Sequence, residues 1–216
     1  MNEQSFSEMR RAMVASQLRT TGVSDHRVVA AMNRVPRERF VPEQRRALAY
    51  ADAPVPLVHG RELNPPMTLG RLLSEARPLP SDRALVLGSA TGYSAALLAE
   101  LVAEVVALEE DASLLEAARG ALSGTRVVSV EGPLAVGHPE RAPYDLILID
   151  GAVEVVPDAL VEQLAEGGRL ATAIVDRGVT RLAIGRKTGG GFALVPFQDA
   201  NASILPGFGA PATFSF

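Results

Sequence analysis

One stretch of the chain, residues 83–111, constrains the fold more than any other. An apolar run over 84–87 has the length of a buried strand, and five small residues follow it over 88–92. Apolar residues at helical spacing then lead to a second apolar run, which stops at Glu109, about 20 residues after the first glycine. Nucleotide-binding folds place a carboxylate on ribose hydroxyls at this point. The strand–glycine loop–helix–strand–acid unit therefore predicts a site for a nucleoside-containing cofactor.

The rest of the chain alternates in the same way. Its spacing predicts helices over 112–122 and 157–165, strands over 126–130, 146–149 and 169–174, and a closing hairpin of 181–187 and 192–197. Continuous apolar strands that alternate with helices are typical of a parallel sheet covered on both faces. We therefore expect an α/β fold with a doubly wound, mostly parallel, Rossmann-like sheet, N-terminal helices and a C-terminal antiparallel hairpin.

The N-terminal third is predicted to be helical around one long loop. Helices are expected over 7–20, after the capping pair Ser24–Asp25, and over 66–76. Between them, residues 50–66 contain four prolines and a glycine, which predicts a loop without regular structure. A loop of this length inside a compact domain is often functional. The apolar tail from residue 205 onward is expected to pack against the domain.

Composition excludes several classes of protein. With 47% hydrophobic residues the chain can bury a core, and its net charge of −4 argues against general nucleic-acid binding. It has no cysteine, so disulfides and thiolate metal sites are excluded. His26, His59 and His138 are isolated, so no metal site is expected. No signal peptide or membrane span is predicted, and we expect a cytoplasmic protein.

The glycine loop favours one cofactor over others. Ala90 stands where a dinucleotide fingerprint has its second glycine, and the loop lacks the lysine of a Walker sequence. A pyrophosphate needs close backbone approach, which an added Cβ resists, whereas S-adenosylmethionine has no phosphate. The loop followed by Glu109 therefore favours S-adenosylmethionine.

Each of these residues also has a purely structural interpretation. Gly88 and Gly92 fit an ordinary strand-to-helix turn, and Glu109 fits a solvated charge in a Glu-Glu-Asp run. Asp150, directly after the predicted fourth strand, fits a cap of the following turn. The sequence leaves both interpretations open at these positions.

A series of short blocks resembles protein-L-isoaspartate O-methyltransferases, and the likeness runs from about residue 9 to 174. The blocks are Met13–Leu18, Gly22–Val23, Arg27–Val28, Ala31–Met32, Val35–Glu38, Phe40–Pro42, Ala49–Pro54, Gly88–Tyr93, Ala142–Asp145, Pro157, Gln163–Leu164 and Gly167–Leu170. The resemblance implies a class I methyltransferase fold with S-adenosylmethionine as methyl donor. It also implies methyl esterification of the α-carboxylate of isoaspartyl residues in damaged proteins, a protein-repair reaction with a peptide or protein acceptor.

The chain departs from the family pattern at several polar positions. Where the family usually has Thr-Ile-Ser-x-Pro, this chain reads Glu62-Leu63-Asn64-Pro65-Pro66, so Asn64 stands at the serine associated with the acceptor carboxylate. An Asn amide can still donate to a carboxylate oxygen, but it has no hydroxyl. Three further departures are Val86 for the acid before the loop, Ala90 for the middle glycine, and Gly132-Pro133-Leu134 for Gly-Asp-Gly.

The residues and the resemblance together predict the site. The cofactor-binding residues are expected to be Gly88, Ser89, Thr91, Gly92, Glu109, Glu110, Pro133, Leu134 and Asp150. The loop from Arg61 to Pro66 is expected to form the acceptor side, with Asn64 as its catalytic residue and Glu62, Leu63 and Pro66 as substrate-binding residues. We expect one methyltransferase domain over 1–216: an N-terminal helical region with the acceptor loop (1–80), a cofactor-binding core (81–175), and a C-terminal hairpin and tail (176–216). We also expect a monomer with no nucleic-acid or membrane partner.

Three other functions stay open. The first is a methyltransferase of the same fold with a different carboxylate or protein side chain as acceptor. The second is a non-catalytic module that binds S-adenosylmethionine or a partner. The third, a nicotinamide-dependent enzyme, is disfavoured by Ala90 and by the N-terminal blocks.

Overall fold

A seven-stranded sheet forms the centre of the computed structural model, which describes residues 3–189 and 191–209. A separate two-stranded hairpin, β1 (Val55–Pro56) and β2 (Glu62–Leu63), precedes it in the chain. The strands of the large sheet are β3 (Arg83–Leu87), β4 (Glu104–Glu109), β5 (Val127–Glu131), β6 (Tyr144–Val153), β7 (Leu164–Asp176), β8 (Val179–Thr188) and β9 (Gly191–Asp199). Their order is β5-β4-β3-β6-β7-β8-β9.

The first five strands of this sheet are parallel, and β8 and β9 add antiparallel pairs at one edge. Alternate residues of β3 face opposite sides: Ala84 and Val86 join one apolar cluster, and Leu85 and Leu87 join the other. All four are at most 1% exposed. Because both faces are covered, the strand needs an uninterrupted apolar sequence. The predicted doubly wound, mostly parallel sheet with a closing hairpin is therefore confirmed.

Six α-helices accompany the sheet in the described part of the chain. They are α1 (Glu3–Met13), α2 (His26–Arg34), α3 (Pro66–Ala76), α4 (Tyr93–Ala99), α5 (Ala112–Ala121) and α6 (Asp158–Glu162). The first predicted helix is correct in place but not uniform, because α1 continues as a π-helical turn over Val14–Leu18 and a 3₁₀ turn over Arg19–Thr21. Asp25 caps α2 as predicted, since its carboxylate accepts from the backbone N–H groups of Arg27 and Val28.

Two predicted elements differ from the structure. Residues 50–66 are not wholly irregular, because β1 and β2 pair across the turn that contains His59 and Gly60. The helix predicted over 157–165 is shorter, because α6 ends at Glu162 and Leu164 already pairs with Tyr144 in the sheet. Local apolar spacing did not reveal this early strand pairing.

The described part of the tail packs as expected. Leu205 and Phe208 are 4% and 2% exposed, and both join the apolar cluster on one face of the sheet. The remainder of the predicted tail, residues 210–216, lies outside the described residues. Among the described helices, none is long and apolar enough to cross a bilayer.

Candidate active site

The candidate site lies at the carboxyl ends of β3, β4 and β6, where parallel sheets of this kind bind ligands. Strand β3 lies between β4 and β6, so the loop after β3 lies between Glu109 and Asp150. The chain connections to these strand ends, not the local sequence, bring the three segments to one edge of the sheet.

The loop after β3 has the backbone of a tight turn into α4. Gly88 and Gly92 have φ values of +69° and +95°, a region that L-residues adopt rarely. A Cβ at Gly92 would lie 2.8 Å from the Leu122 side chain, so glycine is also required there by space. Ala90 has φ +48° despite its Cβ, and this orientation aims its N–H at Glu109.

Glu109 is fully buried, so the solvated-charge interpretation of this residue is wrong. Its Oε1 accepts from the backbone N–H groups of Glu110 and Asp111 at 3.0 and 3.2 Å, and its Oε2 accepts from Ala90 N–H at 2.7 Å. The carboxylate is therefore fixed by three backbone donors from two loops.

Arg61 completes the surroundings of Glu109, a contact that the sequence did not reveal. Its Nη1 donates to Glu109 Oε1 at 2.7 Å, and its Nη2 donates to Oε2 at 3.1 Å and to the Gly88 carbonyl at 3.2 Å. Arg61 is 7% exposed. The charged fork therefore lies in the same place where the sequence predicts a ribose.

Asn64 links the acceptor loop to β6. Its Nδ2 donates to the backbone carbonyl of Asp150 at 3.0 Å and to Asp150 Oδ1 at 2.8 Å, and its Oδ1 accepts from Ser203 N–H at 2.9 Å. Both amide hydrogens are therefore bound to Asp150. The structure places Asn64 at the predicted site, but with its donors directed to the protein.

Asp150 lies inside strand β6 and not after it, so it does not cap a turn there. The pairing of β6 with β7 is irregular between Leu148 and Ala152, which interrupts the ladder at Asp150 and Gly151. Burial raises the pKa of Asp150, and the hydrogen bond from Asn64 and the charges of Arg37 and Arg61 oppose this rise.

The C-terminal segment Ser203–Leu205 covers the same edge. The Ser203 hydroxyl donates to Glu62 Oε2 at 2.6 Å, and Leu205 N–H donates to the Ala152 carbonyl at 2.9 Å. The Leu205 side chain lies directly over two glycines, since a Cβ at Gly88 would be 3.0 Å from it and a Cβ at Gly151 would clash with it. We call β1, β2, the turn between them and Ser203–Leu205 the lid.

The other predicted site residues lie near this edge with different contacts. Thr91 donates its hydroxyl to the Phe40 carbonyl at 2.6 Å and so ties the glycine loop to the N-terminal region. Ser89 Oγ is buried and has no hydrogen-bond partner among the described residues. Leu134 is buried in the apolar cluster under the site, whereas the Glu110 and Pro133 side chains are exposed.

The predicted acceptor residues belong to the lid or its border. Glu62 accepts from Ser203, Leu63 pairs with Val55 in the hairpin, and Pro66 begins α3. A second bond ties the hairpin down, since His59 Nδ1 lies 2.5 Å from Asp111 Oδ2. The loop and the strand ends are therefore brought together as the sequence predicted.

Arg37 is a second buried cation at this site. It is 0% exposed, donates to the backbone carbonyls of Ala49 and Asn64 at 2.6 Å each, and lies with its guanidinium carbon 4.7 Å from the Tyr93 ring centroid. Burial lowers the pKa of Arg37, and the neighbouring Tyr93 and Asp150 oppose this shift. Arg37 thus adds positive charge beneath the acceptor loop.

The residues present fit S-adenosylmethionine in chemistry. Glu109 offers two oxygens for two vicinal hydroxyls, Gly88 permits close approach, and the buried Ser89 Oγ has no partner in the described part of the chain. Arg61 and Leu205 fill this space in the structure, so a bound cofactor requires both side chains to move. Among the described residues, no group of three His, Asp or Glu could hold a metal ion.

Arg61, Arg37, Ser203 and Leu205 are the site residues whose contacts sequence reasoning missed. One sequence signal could have indicated the role of Arg61: it is the lone arginine in a loop otherwise short of cations. Ser203 and Leu205 lie more than 130 residues from the acceptor loop, and no local pattern connects them.

Comparisons with known proteins point to one family. Residues 9–196 match the family model described as protein-L-isoaspartate(D-aspartate) O-methyltransferase. The chain is 38% identical over 197 residues to a protein-L-isoaspartate O-methyltransferase of Koribacter versatilis, covering 90% of this chain and 89% of that protein. It is 43% identical over 179 residues to protein-L-isoaspartate O-methyltransferase 2 of Marinobacter nauticus, covering 81% of each.

A solved structure has the same fold. It is of a Plasmodium falciparum protein assigned as a protein-L-isoaspartate O-methyltransferase, in complex with S-adenosyl-L-homocysteine. The TM-score is 0.78 at 21% identity, and the match covers 95% of this chain and 98% of that one.

Proposed function

This chain belongs to the protein-L-isoaspartate(D-aspartate) O-methyltransferase family, and on that premise we propose that it methylates the α-carboxylate of L-isoaspartyl residues in proteins. S-adenosylmethionine is the methyl donor. One observation carries the proposal: the buried carboxylate of Glu109 and the loop from Arg61 to Pro66 meet at the same sheet edge. A nucleoside site and an acceptor site are thus adjacent.

On the cofactor side, this chain's residues bind and orient. Glu109 would hold the ribose hydroxyls through charge-assisted hydrogen bonds, which are stronger than neutral ones. Gly88 allows the backbone to approach closely, and Leu134 forms part of the apolar floor. When bound, S-adenosylmethionine supplies an electrophilic methyl group on a sulfonium centre.

On the acceptor side, the protein needs no general base, because a carboxylate is already ionised at neutral pH. The task is to hold the carboxylate oxygen in line with the methyl group and to exclude water. The lid is suited to this task, since Ser203 joins Glu62 and Asn64 into one cover over the strand ends.

Transfer of a labelled methyl group from S-adenosylmethionine to an isoaspartyl peptide tests the proposal. The same peptide with a normal aspartate is the matched control, and calorimetry with S-adenosylhomocysteine measures cofactor binding separately. Selective labelling of the isoaspartyl peptide supports the proposal. Cofactor binding without labelling would reject the assigned acceptor and leave a different acceptor or a non-catalytic module.

A methyltransferase with a different acceptor is the second candidate, and Asn64 is the observation that favours it. Its amide hydrogens are bound to Asp150, and Glu62 adds an acidic side chain to the same loop. A panel of carboxylate acceptors, run beside the isoaspartyl peptide, separates the two functions by which member is labelled fastest.

A further inference from the structure

Arg61 saturates the carboxylate of Glu109. A carboxylate offers about four lone-pair sites, whereas Glu109 receives five N–H contacts: Ala90, Glu110 and Asp111 from the backbone and two from Arg61. The backbone donors are fixed by the turns after β3 and β4. The two positions on Glu109 that ribose hydroxyls would take are therefore occupied until Arg61 leaves.

The two donors of Arg61 imitate a ribose. Nη1 and Nη2 bind one carboxylate oxygen each, at 2.7 and 3.1 Å, as two vicinal hydroxyls would. The guanidinium and the nucleoside therefore compete for one acceptor group. Arg61 is movable in this competition, because it is anchored to a two-stranded hairpin and not to the large sheet.

Apart from Arg61, the described side chains of the acceptor loop offer an incoming anion no free donor. Asn64 uses both amide hydrogens on Asp150, and Glu62 and Asp150 contribute carboxyl groups. Arg37 is fully buried beneath the loop and held by the Ala49 and Asn64 carbonyls, although its Nη1 has no hydrogen-bond partner in the described part of the chain. An acceptor carboxylate that enters this loop needs a cation that can move toward it, and a guanidinium binds carboxylates through two parallel hydrogen bonds.

We propose that Arg61 exchanges partners during the reaction: it is held on Glu109 in the free protein, and cofactor binding releases it to bind the acceptor's carboxylate. Arg61 immediately precedes Glu62 and lies three residues before Asn64, so its side chain starts within the acceptor loop. This inference rests on the proposed function for its acceptor. It makes cofactor binding precede acceptor binding.

The test compares Arg61→Ala and Arg61→Lys with wild type in two separate measurements. Calorimetry with S-adenosylhomocysteine should show about 10-fold tighter binding to Arg61→Ala, because the competing charged hydrogen bonds are gone. Steady-state kinetics should show a KM for isoaspartyl peptide raised about 10-fold to 100-fold with a smaller change in kcat. Arg61→Lys keeps the positive charge but lacks the two-pronged guanidinium. Its dissociation constant and its KM should lie between those of wild type and Arg61→Ala.

The control variant is Arg45→Ala, which removes an arginine that donates to the Pro56 carbonyl of the same hairpin without reaching Glu109. It should leave both values within about twofold of wild type. Thermal melting checks that each variant is folded. If Arg61→Ala does not fold, the comparison of Arg61→Lys with wild type still tests the proposal.

Weaker binding of S-adenosylhomocysteine to Arg61→Ala would overturn the competition, because it would make Arg61 a cofactor ligand. An unchanged KM would overturn the acceptor role. If wild type labels no isoaspartyl peptide, the proposed function fails by itself, and the calorimetric comparison still decides whether Arg61 competes for Glu109.

Discussion

On the cofactor side of the site the contacts come mostly from backbone groups, whereas on the acceptor side they come from side chains. Glu109 is oriented by the N–H groups of Ala90, Glu110 and Asp111, all in turns that follow strands of the large sheet. The lid is held more by side-chain bonds such as Arg61–Glu109 and Ser203–Glu62, with two backbone bonds between Ser203–Leu205 and Ala152. Backbone turns persist through substitution, so the cofactor side resists change and the acceptor side can be rebuilt residue by residue.

The largest expected effect comes from Glu109→Ala, which removes the anchor that the two sides share. It leaves Arg61 buried without a counter-ion and should lower the free energy of unfolding by about 3–5 kcal/mol. Urea unfolding measures this. The double variant Arg61→Ala/Glu109→Ala should recover part of the loss, because no uncompensated charge remains.

The exposed pair Arg34–Glu100 provides the matched control for that cycle. Its N–O distance of 2.8 Å is as short, but its side chains are 57% and 41% exposed, so Glu100→Ala should cost less than about 1 kcal/mol. Equal losses of unfolding free energy in Glu109→Ala and Glu100→Ala would show that burial does not strengthen the contribution of the Arg61–Glu109 pair.

Asn64→Ser, which restores the serine of the family pattern, should have a smaller and unfavourable effect. A serine cannot span the contacts to Asp150 and Ser203, so we expect a loss of about 1–3 kcal/mol and no gain in methylation of isoaspartyl peptide. Urea unfolding and the labelled-methyl assay check both parts. A variant that gains activity without losing stability would mean that Asn64 only lacks a hydroxyl.

Asp150→Asn tests the electrostatics of the acceptor side. Burial raises the folded-state pKa of Asp150, so the stability contributed by its protonated form is lost as pH rises through that value. The substituted side chain would keep an amide oxygen as acceptor for Asn64, and the variant should melt higher than wild type at pH 7. Its advantage should shrink as pH falls toward about 4, the unfolded pKa.

Melting curves from about pH 8 to about pH 4 measure this advantage. The exposed carboxyl of Asp158 serves as the comparison through Asp158→Asn. A gain that does not change with pH would assign the effect to packing and not to ionisation.

Ala90→Gly is expected to have the smallest effect, on the cofactor side. A positive φ costs an L-residue about 1–2 kcal/mol, partly offset by the greater unfolded-state entropy of glycine. The variant should be about 0.5–1 kcal/mol more stable to urea, with cofactor affinity unchanged. A loss of stability would show that the Ala90 methyl group contributes packing that outweighs its backbone strain.

The sequence could predict where the strand ends of the proposed cofactor side lie, because apolar runs and glycines mark strand ends directly. The runs that end at Leu87 and Glu109 placed the glycine loop and the acid on adjacent strands. Asp150 was expected beyond its strand, because an irregular stretch of pairing leaves no trace in hydrophobic spacing. The family likeness placed the acceptor loop, but it did not indicate what Arg61 binds.

The lid was least predictable for a physical reason. Its bonds join residues that are far apart in sequence, such as Asn64 and Ser203, and a polar side chain in a loop carries no periodic signal. The contact of Leu205 with Gly88 and Gly151 depends on the whole sheet being assembled first.

Hydrogen–deuterium exchange with and without saturating S-adenosylhomocysteine tests the contrast between a fixed cofactor side and a movable lid most directly. The N–H groups of Arg61 and Leu205, bonded to Val58 and Ala152, should exchange faster than those of β3 and β4 in the free protein. They should exchange faster still with the ligand bound, because the nucleoside displaces Arg61 from Glu109 and Leu205 from Gly88. Lid amides as protected as those of β3, and unchanged by the ligand, would contradict a lid that opens to admit the cofactor.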